Sequence, residues 1–304
     1  MRLAALGALV VALYLVPEAS TPYLLHVLVL SCLYAIPAVG LNLMLGYTGL
    51  VSLGHIAFAG IGAYTAAYLM VDLKFGFWTA LIVAVAASGA AGAAIGAICL
   101  RFRSHFFMIV TLAFGLMLYS VMNNWDEVTR GAQGFPGIPR PDGFGPLASF
   151  YRLALTGAVF AFAVQWLVVR SSFGRILVAL RQDERLAAAK GVNAALCKTL
   201  VFALGSALAG LGGVLLVSFL RVAAPMSFNL AESINSVLIV IIGGAGSLAG
   251  PALGALLFVG LPEYLRVAAE WRLVVFGLLL VLITLFAPHG IASLIARAWR
   301  RVIR

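Results

Sequence analysis

The chain has 304 residues, of which 63% are hydrophobic and only 10% are charged. Soluble domains carry about 25% charged residues, so this composition excludes an ordinary water-soluble protein. Apolar runs recur along the chain, and a run of about 20 residues crosses the hydrocarbon core of a bilayer as a helix. The runs do not alternate polar and apolar residues, which excludes a membrane β-barrel. We therefore predict an all-α fold, a polytopic transmembrane helical bundle.

Ten apolar segments are predicted to cross the membrane. They lie at about 3–16, 23–45, 46–69, 77–100, 105–121, 151–169, 199–220, 233–242, 252–261 and 273–286. The first segment is short for a full crossing, so eight or nine spans remain the alternative. It also resembles a signal peptide, but no convincing cleavage site follows, and we interpret it as a retained helix.

Glycine is dense in the third segment, 46–69, and again at 243–251. Small residues let membrane helices approach closely, and glycine also permits a broken helix whose backbone lines a cavity. Both readings, packing and pathway, stay open. A weak similarity between 46–63 and 243–258 raises the possibility of an internal repeat, as many transporters have. The packing or hinge candidates are Gly46, Gly49, Gly54, Gly243, Gly244, Gly246 and Gly250.

The polar loops predict the orientation of the chain. The longest polar interval, 173–198, is basic, and so is the tail at 288–304. The loop at 123–150 is rich in turn residues, and its charges nearly cancel. Cytoplasmic loops are enriched in Lys and Arg, so we expect the two basic segments inside, 123–150 outside and both termini cytoplasmic. We therefore attribute the net charge of +10 to basic cytoplasmic loops, which orient the spans. It does not indicate a nucleic-acid partner, because no aromatic–basic motif accompanies it.

The sequence lacks the common catalytic and nucleotide-binding motifs. No GxxxxGK[ST], HExxH or GxSxG pattern occurs, so we expect neither an enzyme nor an ATP site on this chain. Cys32, Cys99 and Cys197 are too scattered for a disulfide framework or a metal site. The spans are also nearly free of ionisable groups, which argues against an ion-coupled carrier. We interpret His26 and His55 as neutral, hydrogen-bonded side chains. Energy for any transport must then enter from another protein.

The 173–198 interval contains a short predicted helix. Glu184, Ala187, Ala188 and Gly191 have the spacing of one helical face. Asp183 and Glu184 suit a helix N-terminus, and Gly191 suits its end. The segment is either a plain surface connector or a docking helix for a partner.

Several segments resemble a known family. The pattern Glu184-x-x-Ala187-Ala188-x-x-Gly191 is similar to the coupling-loop motif of ABC importer permeases, although in the common form the two alanines follow the glutamate directly. Segments 41–67, 110–115, 123–141, 173–193 and 236–255 resemble branched-chain amino acid ABC permeases, in the same order. The spacing of Thr129, Gly131 and Gly134 is similar to that of the LivM-type subunit.

The resemblance implies a complete transport system. Residues 1–304 would form a single transmembrane permease domain in a bacterial cytoplasmic (inner) membrane, in contact with membrane lipid. A LivH-like subunit would complete the pore. Two ABC ATPase subunits would hold ATP and Mg²⁺, and a periplasmic or lipid-anchored solute-binding protein would deliver the solute. The residues implied in ATPase coupling are Arg181, Asp183, Glu184, Ala187, Ala188 and Gly191.

The resemblance also implies a branched-chain or related amino acid as solute. An apolar, uncharged interior suits an aliphatic side chain, and polar groups would be needed for the zwitterionic end. The candidates for this pathway are Asn42, Thr48, Ser52, Tyr64 and Thr111. The same scaffold importing urea or short amides is one alternative. A stand-alone secondary carrier or channel is an alternative of another class.

Overall fold

The computed structural model describes residues 11–18, 20–99 and 104–264, with short pieces at 277–278, 281 and 290–294. The predicted last span at 273–286 and the basic tail at 288–304 therefore lie largely outside the described residues. Of the predicted first span, only the part from residue 11 is described, as a helical segment over 11–18.

Helices dominate the described part of the chain. In order they are α1 Pro22–Thr48, α2 His55–Val71, α3 Phe77–Cys99, α4 Ser104–Asn124, α5 Asp126–Thr129, α6 Leu147–Arg170, α7 Ser172–Gln182, α8 Glu184–Ala189, α9 Ala194–Leu220, α10 Leu230–Gly243 and α11 Gly250–Tyr264. Single 3₁₀ turns lie at Gly131–Gln133 and Pro225–Phe228. Two-residue strands, β1 Phe135–Pro136 and β2 Val222–Ala223, pair antiparallel.

Five of these helices have the length and composition of membrane spans: α1, α3, α4, α6 and α9. They confirm the prediction of an all-α, polytopic membrane protein. Helices α2, α10 and α11 are apolar but have only 17, 14 and 15 residues. A 14-residue helix rises about 21 Å, less than the hydrocarbon thickness of about 30 Å. The full count of ten spans stays a prediction.

Helix α9 is the centre of the bundle, and α1, α2 and α3 pack against it. Glycines let the backbones touch. A methyl group on Gly40 of α1 would overlap the carbonyl oxygen of Gly205 in α9. A methyl group on Gly62 of α2 would collide with the backbone of Gly210 in α9. Such contacts are how membrane helices gain packing without a hydrophobic driving force, and they favour the packing reading for this part of the glycine-rich segment.

Pro37 lies inside α1, where it removes one backbone donor. The ring of His55, fully buried at the start of α2, lies with Nε2 3.0 Å from the Pro37 carbonyl oxygen. The side chain of Pro37 also packs on Gly212 of α9. Neighbouring helices commonly accommodate a proline in this way, and His55 holds the hydrogen bond that the sequence interpretation expected of it.

The bundle has two ends, separated by the 27-residue helix α9, which rises about 40 Å. We call the end formed by 171–193 and 244–249 the coupling end. We call the end formed by 125–146 and 221–229 the loop end. The predicted external and cytoplasmic loops thus lie at opposite ends of the bundle, as their assignment to opposite sides requires.

The loop end is held by a hydrogen bond, an ion pair and a close backbone approach. Thr129 donates a hydrogen bond from Oγ1 to the Met122 carbonyl oxygen (2.9 Å). Arg130 forms an ion pair with Asp72 at 2.5 Å. Gly134 has a φ of +65°, and a methyl group there would overlap the carbonyl oxygen of Ala223. This glycine is required where β1 meets β2.

Candidate functional site at the coupling end

Helix α7 lies along the coupling end as an amphipathic helix. Ser171 caps its start, because Oγ accepts a hydrogen bond from the Gly174 amide at 3.3 Å. Leu177 and Leu180 are buried, and the helix packs against α1 and α6. The cap stabilises the start of the helix, and its buried apolar face fixes it against the spans beneath it.

Helix α8 follows directly, and the residues at its two ends determine where it begins and ends. Asp183 Oδ1 accepts hydrogen bonds from the amides of Arg185 (2.9 Å) and Leu186 (3.0 Å). The helix ends at Ala189, and Gly191 follows with a φ of +86°, a conformation that favours glycine. In the structure Asp183 and Gly191 therefore shape the segment at its two ends.

The residues predicted to share one helical face are not equally exposed. Glu184 pairs with Lys198 of α9 at 2.6 Å, and the Lys198 side chain is only 11% exposed. Ala187 is buried against the protein, whereas Ala188 is exposed. Leu186 projects outward and is 58% exposed. Ala187 therefore faces the protein, Glu184 reaches Lys198 of α9 from the surface, and Leu186 is an exposed apolar side chain of α8.

Arg181, at the end of α7, reaches into the bundle. Its Nη1 donates a hydrogen bond to the carbonyl oxygen of Gly46 near the end of α1. A methyl group on Gly46 would overlap the amide nitrogen of Gly246. Gly246 has a φ of +78° in the turn between α10 and α11. Three segments far apart in sequence thus meet at Gly46.

Asn42 ties the same turn to α1. Its Nδ2 donates to the Ser247 carbonyl oxygen (2.9 Å), and its Oδ1 accepts from the Gly246 amide (2.8 Å). The side chain is completely buried. Gln165 of α6 also donates to the Ser247 carbonyl oxygen, at 3.4 Å. We call Asn42, Gly46, Gln165, Arg181 and the turn at 244–249 the glycine junction.

Gln165 was missed by the sequence analysis. The available signal was a lone amide side chain in an otherwise apolar span, because a buried polar group in a membrane needs a partner.

The remaining pathway candidates do not gather into one site. Thr48 donates to the Met44 carbonyl oxygen at 2.5 Å, within its own helix. Thr111 accepts a hydrogen bond from the Leu53 amide at 3.2 Å and so fixes the irregular segment before α2. Ser52 is buried in that segment. Thr48 and Thr111, like Asn42, hold backbone in place, whereas the buried Ser52 hydroxyl has no hydrogen-bond partner among the described residues.

Tyr64 lies apart from the others, toward the loop end. Its ring centroid is 6.0 Å from that of Phe135 and 6.2 Å from that of Phe228. The five predicted residues are thus spread along the length of the bundle.

The other glycine candidates lie either where backbones nearly touch or where φ is positive. A methyl group on Gly54 would overlap the carbonyl oxygen of Thr111, and one on Gly243 would overlap that of Gly250. Gly244 has a φ of +117°. Gly49, with a φ of +74°, lies beside the aliphatic part of Arg181. A larger residue would displace backbone at Gly54 and Gly243, and a residue with a side chain would be strained by the positive φ at Gly49 and Gly244.

A small cleft opens between α1, α2, α9 and the segment that leads into α10. It is lined by Leu33, Tyr34, Pro37, Ile56, Ala59, Gly212, Gly213, Leu216, Ser227, Phe228 and Glu232. Glu232 is the charged member of this lining. Glu232 lies between two predicted spans and was not singled out from the sequence, although an acid directly before an apolar run was the visible signal.

Comparisons with known proteins agree with this architecture. The family described as "Branched-chain amino acid transport system / permease component" matches residues 23–284. The permease protein LivM of a high-affinity branched-chain amino acid transport system of Escherichia coli K12 is 33% identical over 291 residues, covering 86% of this chain and 68% of LivM.

More distant similarity extends to two other permeases of the same organism. LivH is 25% identical over 86% of this chain and 92% of its own length. The ribose import permease RbsC is 30% identical over 77% of this chain and 74% of its own length. No solved structure matches the chain significantly.

The family match covers most of the chain, including every membrane-length helix in the described part and the whole glycine junction. This chain therefore belongs to the family of permease components of branched-chain amino acid transport systems.

Proposed function

We propose that this chain is the LivM-like permease subunit of a binding-protein-dependent ABC importer for branched-chain or related amino acids. A LivH-like subunit completes the pore in the bacterial cytoplasmic membrane. The observation that carries the proposal is the glycine junction, since it connects the surface helix pair α7–α8 directly to α1, α6 and the α10–α11 turn. A helix pair anchored in this way suits the transfer of motion from a partner.

Two ATPase subunits dock at the coupling end in this proposal and hold the ATP and Mg²⁺. Their contact centres on the exposed Leu186 of α8. When they close, α7 moves with α8, and Arg181 carries the displacement to Gly46 and the adjoining turn. Glycine at these positions permits backbone conformations that other residues rarely adopt.

The solute-binding protein docks at the opposite, loop end, on the external side. Trp125 and Met226 are 51% and 67% exposed there, and apolar side chains of this kind are common anchors at protein interfaces. With the loop end outside and the coupling end inside, both termini are cytoplasmic if ten spans alternate across the membrane.

The choice of solute rests on the family and on the apolar lining of the cleft. RbsC shows that a related scaffold serves a ribose system, so ribose has to be tested beside the amino acids. Urea and short amides are further candidates on the same scaffold. A stand-alone carrier is the alternative of another class.

Reconstitution of the complete complex tests the proposal. The two permeases, the ATPases and the binding protein are placed in proteoliposomes, and uptake of radiolabelled leucine, isoleucine, valine, ribose and urea is measured. We expect uptake of the branched-chain amino acids with ATP and none with ADP. Equal uptake by this chain without the ATPase subunits would establish a stand-alone carrier, and uptake of ribose or urea alone would change the solute.

A further inference from the structure

The segment at 290–294 lies against the turn between α10 and α11. Gly290 is buried and has a φ of +74°. A methyl group on Gly290 would lie 2.2 Å from the Cα atom of Gly244 and 2.4 Å from its amide nitrogen. Because no side chain fits between the two backbones, this contact requires glycine at position 290.

The two sides of this contact have the same local structure. In the turn, the amide (3.1 Å) and the Oγ (2.7 Å) of Ser247 both donate hydrogen bonds to the Gly244 carbonyl oxygen. In the 290–294 segment, the amide (3.2 Å) and the Oγ (2.7 Å) of Ser293 both donate to the Gly290 carbonyl oxygen. Each Gly-x-x-Ser turn is therefore closed by its own serine, and the two turns meet at their first residues.

The turn at 244–249 is also bound by side chains of two membrane-length helices. Asn42 of α1 and Gln165 of α6 hydrogen-bond to main-chain groups at positions 246 and 247. Gly290 contacts the turn at its first residue instead, directly after the end of α10. The 290–294 segment therefore supports the part of the turn that joins it to α10.

We propose that residues 290–293 act as a clasp on this turn, and that Gly290 and Ser293 are positioning residues for the coupling of ATP hydrolysis to transport. In the proposed function, Arg181 carries the displacement of the ATPase subunits to Gly46 and the adjoining turn. A turn supported by the clasp passes that displacement to α10. A turn that is free at Gly244 yields locally, so that ATP is hydrolysed without solute uptake. This inference rests on the proposed function and adds a segment to the coupling path.

The number of ATP molecules hydrolysed per leucine transported tests the clasp in the reconstituted complex. Gly290→Ala places a methyl group against Gly244, and we expect it to raise this ratio about fivefold or more, the lower end of typical coupling between sites. Ser293→Ala should raise the ratio about twofold, since the Ser293 amide still donates to the same carbonyl oxygen. Gly76→Ala adds the same methyl group where nothing lies within 4 Å, and the ratio should stay at the parent value.

Gly290→Asn separates the contact from the backbone conformation. Asparagine adopts a positive φ more readily than alanine does, but its Cβ atom would meet Gly244 in the same way. We therefore expect Gly290→Asn to raise the ratio as Gly290→Ala does. A parent ratio in Gly290→Asn would show that the contact is not what matters and would overturn the inference.

A purely structural role predicts a different result for Gly290→Ala. Loss of folded complex would lower leucine uptake and ATP hydrolysis together and leave their ratio at the parent value, and that outcome overturns the clasp. If neither variant at position 290 assembles, Ser293→Ala decides, and a parent ratio in that variant overturns the inference. Absence of leucine uptake by the parent complex contradicts the proposed function instead, so the two failures are distinguishable.

Discussion

Single polar side chains hold backbone together at the glycine junction. Asn42 offers both ends of its amide to the turn between α10 and α11, and Arg181 binds a carbonyl oxygen of α1. In each case the partner is a main-chain group of a glycine or its neighbour. Such bonds fix the position of a segment without requiring any particular side chain from it.

Asn42→Ala tests this role of the amide. It removes two hydrogen bonds and leaves the Gly246 amide without its Asn42 partner in a partly buried place, so we expect a loss of about 1–3 kcal/mol of stability. The measurement is the midpoint of thermal aggregation of the purified complex in detergent.

Asn124→Ala is the matched control for that experiment. Asn124 bonds only to Ser120 at the exposed end of α4, and its loss should shift the midpoint much less. Equal shifts in the two variants would argue against a special role for Asn42.

Helix α8 shows how a short element depends on its attachments. It has six residues, too few to be stable alone. Asp183 caps its start, and the Glu184–Lys198 ion pair fastens it to α9. The exposed side of α8 is therefore presented at a defined angle.

A charge swap separates attachment from direct docking. Glu184→Lys should weaken copurification of the ATPase subunits, because two positive charges then repel α8 from α9. The double variant Glu184→Lys with Lys198→Glu should restore copurification, since it rebuilds the pair. Leu186→Ser should also weaken copurification of the ATPase subunits. Adding the charge swap to this variant should not restore it, because the Glu184–Lys198 pair is intact in Leu186→Ser. Failure of the double variant to recover would show that Glu184 contacts the partner itself.

At the scale of the whole molecule, each end of the bundle carries an arginine packed on an aromatic ring. The loop end is closed by β1–β2 pairing and by Arg140, whose guanidinium lies 5.1 Å from the centre of the Phe150 ring. At the coupling end, Arg170 lies 4.7 Å from the ring of Trp166. Aromatic and basic side chains of this kind are enriched where a bundle meets the membrane surface.

Cysteine labelling tests which end faces the cytoplasm. The three native cysteines are replaced by alanine, and Asp142→Cys or Arg175→Cys is introduced at exposed positions of the loop end and of α7. A membrane-impermeant maleimide should label position 142 in intact spheroplasts and position 175 only after permeabilisation. The reverse pattern would invert the proposed orientation.

Much of the architecture could be predicted from the sequence because membrane spans are a property of local composition. The apolar runs near α1, α3, α4, α6 and α9 are visible without any knowledge of contacts. The ends of the basic segment were also visible, since Asp183 and Gly191 have the local chemistry of a helix cap and a helix end.

The candidate sites were harder to predict because they depend on contacts between distant residues. Asn42 was interpreted as a pathway group, but nothing near it in sequence reveals a partner more than 200 positions away. Ala187 was placed on a partner surface, but the structure buries it. The exposed Glu184 is tied to Lys198, and this pair depends on the approach of α9. Glu232 shares a cleft with Tyr34, and this could not be predicted because Tyr34 belongs to another helix.

The long separation within the glycine junction bears on how the protein is made. The Gly246 amide that pairs with Asn42 lies 204 residues later in the chain. At about 5–20 residues per second, the ribosome needs roughly 10–40 s to supply it. During that interval α1 is already in the bilayer with an unpaired amide near its end. The nascent chain must therefore keep Asn42 hydrated, or paired with a temporary partner, until α10 and α11 are inserted.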